Sequence, residues 1–90
     1  MPRLDAKIIT SDKDHYSVLN DIATSLFNAR SAIEMRKGEF NIDGGSNDIR
    51  AYWNADESCF NFVCRYKRDV DYTSDQIKAY AIVNGLMLSE

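Results

Sequence analysis

The segment Cys59 to Lys67, "CFNFVCRYK", alternates large and small-or-polar side chains one for one, and no other stretch of the chain limits the possible folds so tightly. A period of two puts Phe60, Phe62, Cys64 and Tyr66 on one side of an extended strand and Cys59, Asn61, Val63, Arg65 and Lys67 on the other; a helix would scatter the same rings around its circumference. A strand with one aromatic face needs a sheet around it and an apolar layer against that face. The rest of the sequence must supply both.

Neighbouring segments read as the other strands. "DIRAYWN" places Ile49, Ala51 and Trp53 on one face, "ADES" turns the chain into the aromatic strand, "GGSN" (44–47) is a strong turn signal, and "EFNID" before it enters the sheet. Near the start, the β-branched "LDAKIIT" (4–10) predicts a first strand with Leu4, Ala6 and Ile8 on one side.

Two helices are expected to cover the sheet. "TSDKD" (10–14) offers several N-caps, and Leu19, Ile22, Ala23, Leu26 and Phe27 form a stripe at spacings of three and four. The end of this helix is open to two readings. Ile33 extends the stripe, with Gly38 as a C-terminal stop after Arg36 and Lys37; alternatively, Ile33/Met35 and Phe40/Ile42 alternate about "RKGE" as a hairpin would. The longer helix is the preferred reading. For the second helix, Thr73 and Gln76 match a capping box, Ile77, Tyr80, Ala81 and Asn84 share an inner face, Gly85 ends it and Leu86 covers the last turn. The expected fold is therefore a single α+β domain over residues 1–90. Its antiparallel sheet has three to four strands, both helices pack on one face, and the order is β-α-β-β-β-α.

Composition narrows the chemistry. At 90 residues, with 44% hydrophobic and 28% charged residues, the chain has the makings of one compact core. No apolar run approaches the ~18 residues of a membrane span, and "MPRLDAKIIT" lacks a signal peptide's apolar region, so a cytoplasmic protein without membrane contact is expected. Cys59 and Cys64 fall on opposite strand faces, cannot bridge, and read as free thiols in a reducing compartment. Cys64 is expected in the core, and Cys59 on the outer face as a candidate surface thiol. Neither sits in the setting of a nucleophile, and His15, the only histidine, is expected to be exposed and incidental. "DGGSND" (43–48) departs from the patterns of calcium and phosphate loops and reads as a hairpin connection, while acid pairs such as Asp56/Glu57 and Asp69/Asp71 read as solvated turn residues. No catalytic site, metal or cofactor is expected.

The remaining candidates lie on the outer sheet face and just beyond it: Arg50, Tyr52, Arg65, Lys67, Arg68 and Tyr72. Arginine and tyrosine are enriched at protein interfaces, so these residues point to a non-enzymatic protein-binding module. Small size and a net charge of −3 suit an inhibitor or adaptor of a larger complex, such as a nucleic-acid-handling one, of the kind that mobile elements encode. The rival reading is a single-stranded nucleic-acid binder using the same basic and aromatic groups; the acidic net charge and the missing ribonucleoprotein signature weigh against it. Unpaired sheet edges would also allow a homodimer.

Overall fold

A computed structural model of the protein describes residues 2–9, 15–45 and 47–86. The strands are β1 (Arg3–Ile9), β2 (Ile33–Arg36), β3 (Glu39–Asp43), β4 (Ile49–Asn54) and β5 (Cys59–Val63); the helices are α1 (His15–Leu26), between β1 and β2, and α2 (Val70–Val83), after β5. All strands join one five-stranded antiparallel sheet in the order β1-β5-β4-β3-β2. The expected α+β class, with two helices and an antiparallel sheet, is what the chain forms. The expected three to four strands are corrected to five. The N-cap candidates at 10–14 lie outside the described residues.

The additional strand comes from the hairpin reading of residues 32–43. α1 stops at Leu26 because Asn28 takes a left-handed backbone (φ 54°), a conformation that Asn tolerates better than most residues other than Gly. The Asn20 side chain then accepts a hydrogen bond from the Ala32 backbone N–H at 3.2 Å, directing the chain toward the far edge of the sheet. Gly38, with φ 80°, serves the β2–β3 turn. Its conformational freedom suits a helix stop and a hairpin equally, so Gly38 does not distinguish the two readings.

The inner face of the sheet carries Leu4, Ala6 and Ile8 from β1, Phe60 and Phe62 from β5, Ala51 from β4 and Phe40 from β3; these join one core with Leu19, Ile22, Ile77 and Ala81 of the helices. Phe60 and Phe62 are fully buried, and each is worth about 1.5–3 kcal/mol relative to an exposed ring. Phe60 and Phe62 thus face the core as their spacing requires, although Cys59 and Asn61 of the opposite face are buried as well and the strand ends at Val63 rather than running to Lys67.

α2 also differs from expectation at its start. It begins at Val70, leading out of a 3-10 turn at Lys67–Asp69, so Thr73 lies inside the helix and caps nothing. Thr73 and Ser74 are buried against the sheet instead. There the Ser74 hydroxyl accepts a hydrogen bond from the Asp5 backbone N–H at 3.0 Å, Lys78 pairs with the Asp5 carboxylate at 3.0 Å, and the Leu86 carbonyl accepts from the Ile9 N–H at 2.9 Å. Together these contacts seal the β1 edge. The C-terminus of α2 follows the sequence reading: Gly85 adopts φ 68°, the Leu86 and Gly85 amides return to the carbonyls of Ala81 and Ile82, and Leu86 is buried, while Asn84, expected on the inner face, is exposed.

Candidate interaction surface

The expected site residues divide into two groups. Arg50 and Tyr52 lie on the outer face of β4, where Arg50 is in register with Asn41 of β3 and Val63 of β5. Arg50 is already engaged. Its guanidinium contacts Asp48 at 3.5 Å and Glu39 at 4.0 Å, and the Tyr52 hydroxyl donates to the same Glu39 carboxylate at 3.5 Å. The negative charge of Asp48, with a hydrogen bond to Tyr52, holds the Arg50 pKa above its ordinary value. Among the described residues, the Arg50 Nε and the Asn41 Oδ1 are enclosed without a hydrogen-bond partner. This pair of strands therefore offers a neutralised, half-buried network rather than a free cation and ring.

Arg65, Lys67, Arg68 and Tyr72 form the second group. After β5 the chain stays tied to the sheet through Cys64 N–H to the Pro2 carbonyl at 3.0 Å and Arg65 N–H to the Asn47 carbonyl at 2.9 Å, and then turns sharply, with the Asp69 N–H bonded to the Tyr66 carbonyl at 3.1 Å. The turn swings Tyr66 out of the core face assigned to it by alternation, leaving the ring 40% exposed. Arg68 sets its guanidinium carbon 4.5 Å from the Tyr66 ring centre, and Arg65 approaches the same ring at 5.7 Å. Lys67 is exposed between them, and Tyr72, on the first turn of α2, is 69% exposed. Alternation does not find Tyr66 as a surface residue, because the period of two continues past the point where β5 ends. The run Arg65 to Arg68, with a single apolar residue among charges, is the signal in the sequence that the strand has stopped.

Other candidates resolve more simply. Cys64 is buried in the core as expected; its thiol donates to the Tyr66 carbonyl at 3.3 Å, and burial pushes its pKa up. Cys59 is also fully buried, which corrects the expectation of a surface thiol, and desolvation raises its pKa as well. His15 is half-buried rather than incidental: its ring lies 4.2 Å from that of Trp53 and meets Phe60 edge-on at 5.2 Å. Of the 43–48 segment, Asp43 ends β3 and its carboxylate accepts from the Gly45 N–H at 2.9 Å, while Ser46 lies outside the described residues. Among the described residues no three His, Cys, Asp or Glu side chains converge in a way that would hold a metal ion, and no helix is long and apolar enough to cross a membrane.

The fold and surface define a small α+β domain in which Arg65, Tyr66, Lys67 and Arg68 are exposed at the β5–α2 junction, with Tyr72 exposed on the first turn of α2. Comparison of the chain with protein-family models, curated proteins and solved structures finds no match.

Proposed function

We propose that the protein is a non-enzymatic protein-binding module, an inhibitor or adaptor acting in the cytoplasm, and that it engages an acidic surface of its partner through Arg65, Tyr66, Lys67, Arg68 and Tyr72. The observation that carries this reading is the placement of Arg68 over the exposed Tyr66 ring at 4.5 Å. A ring and a guanidinium already held against each other lose less side-chain freedom on binding than two independent groups, and both are residue types that dominate interface energetics. The Arg50 charge, by contrast, is paired with Asp48 and Glu39 and adds little attraction for a partner.

The test is affinity capture from nuclease-treated extract with the wild-type protein, Tyr66→Ala and Arg68→Glu in parallel. The expected result is a partner retained by the wild type and lost by both variants, with melting curves nearly superimposed. A partner retained equally by all three would overturn the reading. Retention on a single-stranded oligonucleotide, falling steeply with salt, would replace it with the nucleic-acid reading. The open β2 edge is where a second copy would pair, and sedimentation across a concentration range measures that directly.

A further inference from the structure

α2 carries apolar residues on two opposite sides. Its inner face, with Thr73, Ser74, Ile77 and Ala81, is buried against the sheet. On the opposite side Tyr72, Gln76, Ala79 and Val83 recur at intervals of four, three and four, falling within about 60° of one another around the helix, with Asp75 and Ile82 as flanks. Tyr72 is 69% exposed, Ile82 64% and Val83 83%, and Ala79 is exposed beside them, so nothing among the described residues covers this face. Asp75 is the one charge among the six residues. A helix face kept in water usually carries several charges, whereas apolar residues on both faces call for a second packing partner.

The spacing identifies that partner. Intervals of four and three are those of a helix seam, and the series four-three-four is unchanged when read backwards. Two copies of α2 packed antiparallel about a two-fold axis therefore match: Tyr72 of each meets Val83 of the other, and Gln76 meets Ala79, so every layer sets a larger side chain against a smaller one. Charge selects the same direction. A parallel pair would set Asp75 against its own copy and crowd together the exposed cations Arg65, Lys67 and Arg68 of both chains. The antiparallel pair separates them and brings Lys67 and Arg68 of each copy toward the C-terminal end of the other α2, whose last turn holds no basic residue to meet its carbonyls.

We propose that the protein self-associates through this face of α2 as an antiparallel, two-fold symmetric helix pair. Pairing of two β2 edges, the other route to a dimer, is hindered by the register shift between Glu34 and Arg36, since a bulge disrupts the ladder that a second strand would have to extend. The seam is confined to one helix of 14 residues. Such an interface falls below the ~1,200 Å² of standard stable contacts, so the dimer forms and dissociates with concentration. Tyr66 and Arg68 lie outside the stripe, and dimerisation does not depend on the partner contact proposed for them.

Sedimentation equilibrium of the purified protein across a concentration range tests this on the wild type, Tyr72→Glu, Val83→Lys and an equimolar mixture of the two variants. Both positions are exposed, so the variants keep the fold, and melting curves check that they do. The wild type is expected to dimerise as concentration rises, and each variant alone to dimerise at least about tenfold more weakly. The mixture should recover, because only in the mixed dimer do the introduced carboxylate and ammonium face each other across the seam. A wild type that stays monomeric at every concentration, variants that dimerise as well as the wild type, as pairing through β2 would give, or a mixture no stronger than its components would each overturn the proposal.

Discussion

The Ser74 hydroxyl accepts a hydrogen bond from the Asp5 backbone N–H at 3.0 Å, across 69 residues of sequence. This contact makes the Asp5 N–H of β1 part of the α2 interface, so that sheet growth is blocked at that position. Ser74→Ala should lower stability by about 1 kcal/mol, the ordinary cost of losing one such bond. A shifted urea midpoint with an unchanged slope is the expected signature, and no shift would mean that water replaces Ser74 without loss.

Backbone conformation makes a second prediction. At Asn28 (φ 54°) Gly should be tolerated, whereas Val should destabilise by about 1–3 kcal/mol, because a β-branched residue resists the left-handed region. Gly38→Ala should cost about 1 kcal/mol or more: φ is 80°, and an added Cβ would stand 3.4 Å from the Trp53 Cβ. Thermal melts of the three variants check both positions.

Arg50 and Arg68 should behave oppositely. Arg50→Ala removes the cation shared by Asp48 and Glu39 and should lower the urea midpoint by the small amount that partly exposed ion pairs contribute. Arg68→Ala, on the exposed junction, should leave that midpoint nearly unchanged while abolishing partner capture. If Arg68 proved the more destabilising of the two, the division between network and contact surface would be wrong.

The buried thiols predict a direction with pH. Desolvation raises the pKa of Cys59 and of Cys64 above the ordinary 9.0 of the unfolded chain, so above that pH the unfolded state releases protons that the folded state keeps. Stability should therefore be fully present below about pH 9 and decline as pH rises further, through the folded-state values. Tyr80, whose pKa burial and the Asp21 carboxylate also raise, acts in the same sense from its ordinary 10.0 upward. Urea midpoints from neutral pH upward should fall, and the Cys64→Ala variant should show a shallower decline. Both thiols should resist a disulfide reagent until the protein unfolds.

Patterns confined to a few neighbouring residues are legible in the sequence. The inward Phe60 and Phe62 of β5, the Leu19–Ile22–Ala23 stripe of α1 and the Gly85–Leu86 stop rest on periodicity or on one residue's backbone preference and form as read, whereas Tyr66 lies beyond the strand and the preferred extension of the first helix to Ile33 does not form. The start of α2 is not legible in the same way. Thr73–Gln76 is a valid capping pattern locally, yet Ser74 is needed on the β1 edge and the helix begins one turn earlier.

Of the candidate surface, the residue types are readable but their grouping is not. Arg50 and Arg68 are chemically identical in sequence; Asp48 is a near neighbour of Arg50 in the chain, but only the pairing of β3 with β4 adds Glu39, and only the turn after Val63 brings Arg68 over Tyr66. The same holds for Asn61, which pairs with Lys7 of β1 on one side and Tyr52 of β4 on the other and is only 9% exposed. Sequence determined most of the segments that are strand or helix and the faces that are apolar, because those follow from short-range periodicity and hydrophobic burial. Tertiary structure decided which charges are neutralised and which edge is sealed, because those depend on contacts between residues far apart in the chain.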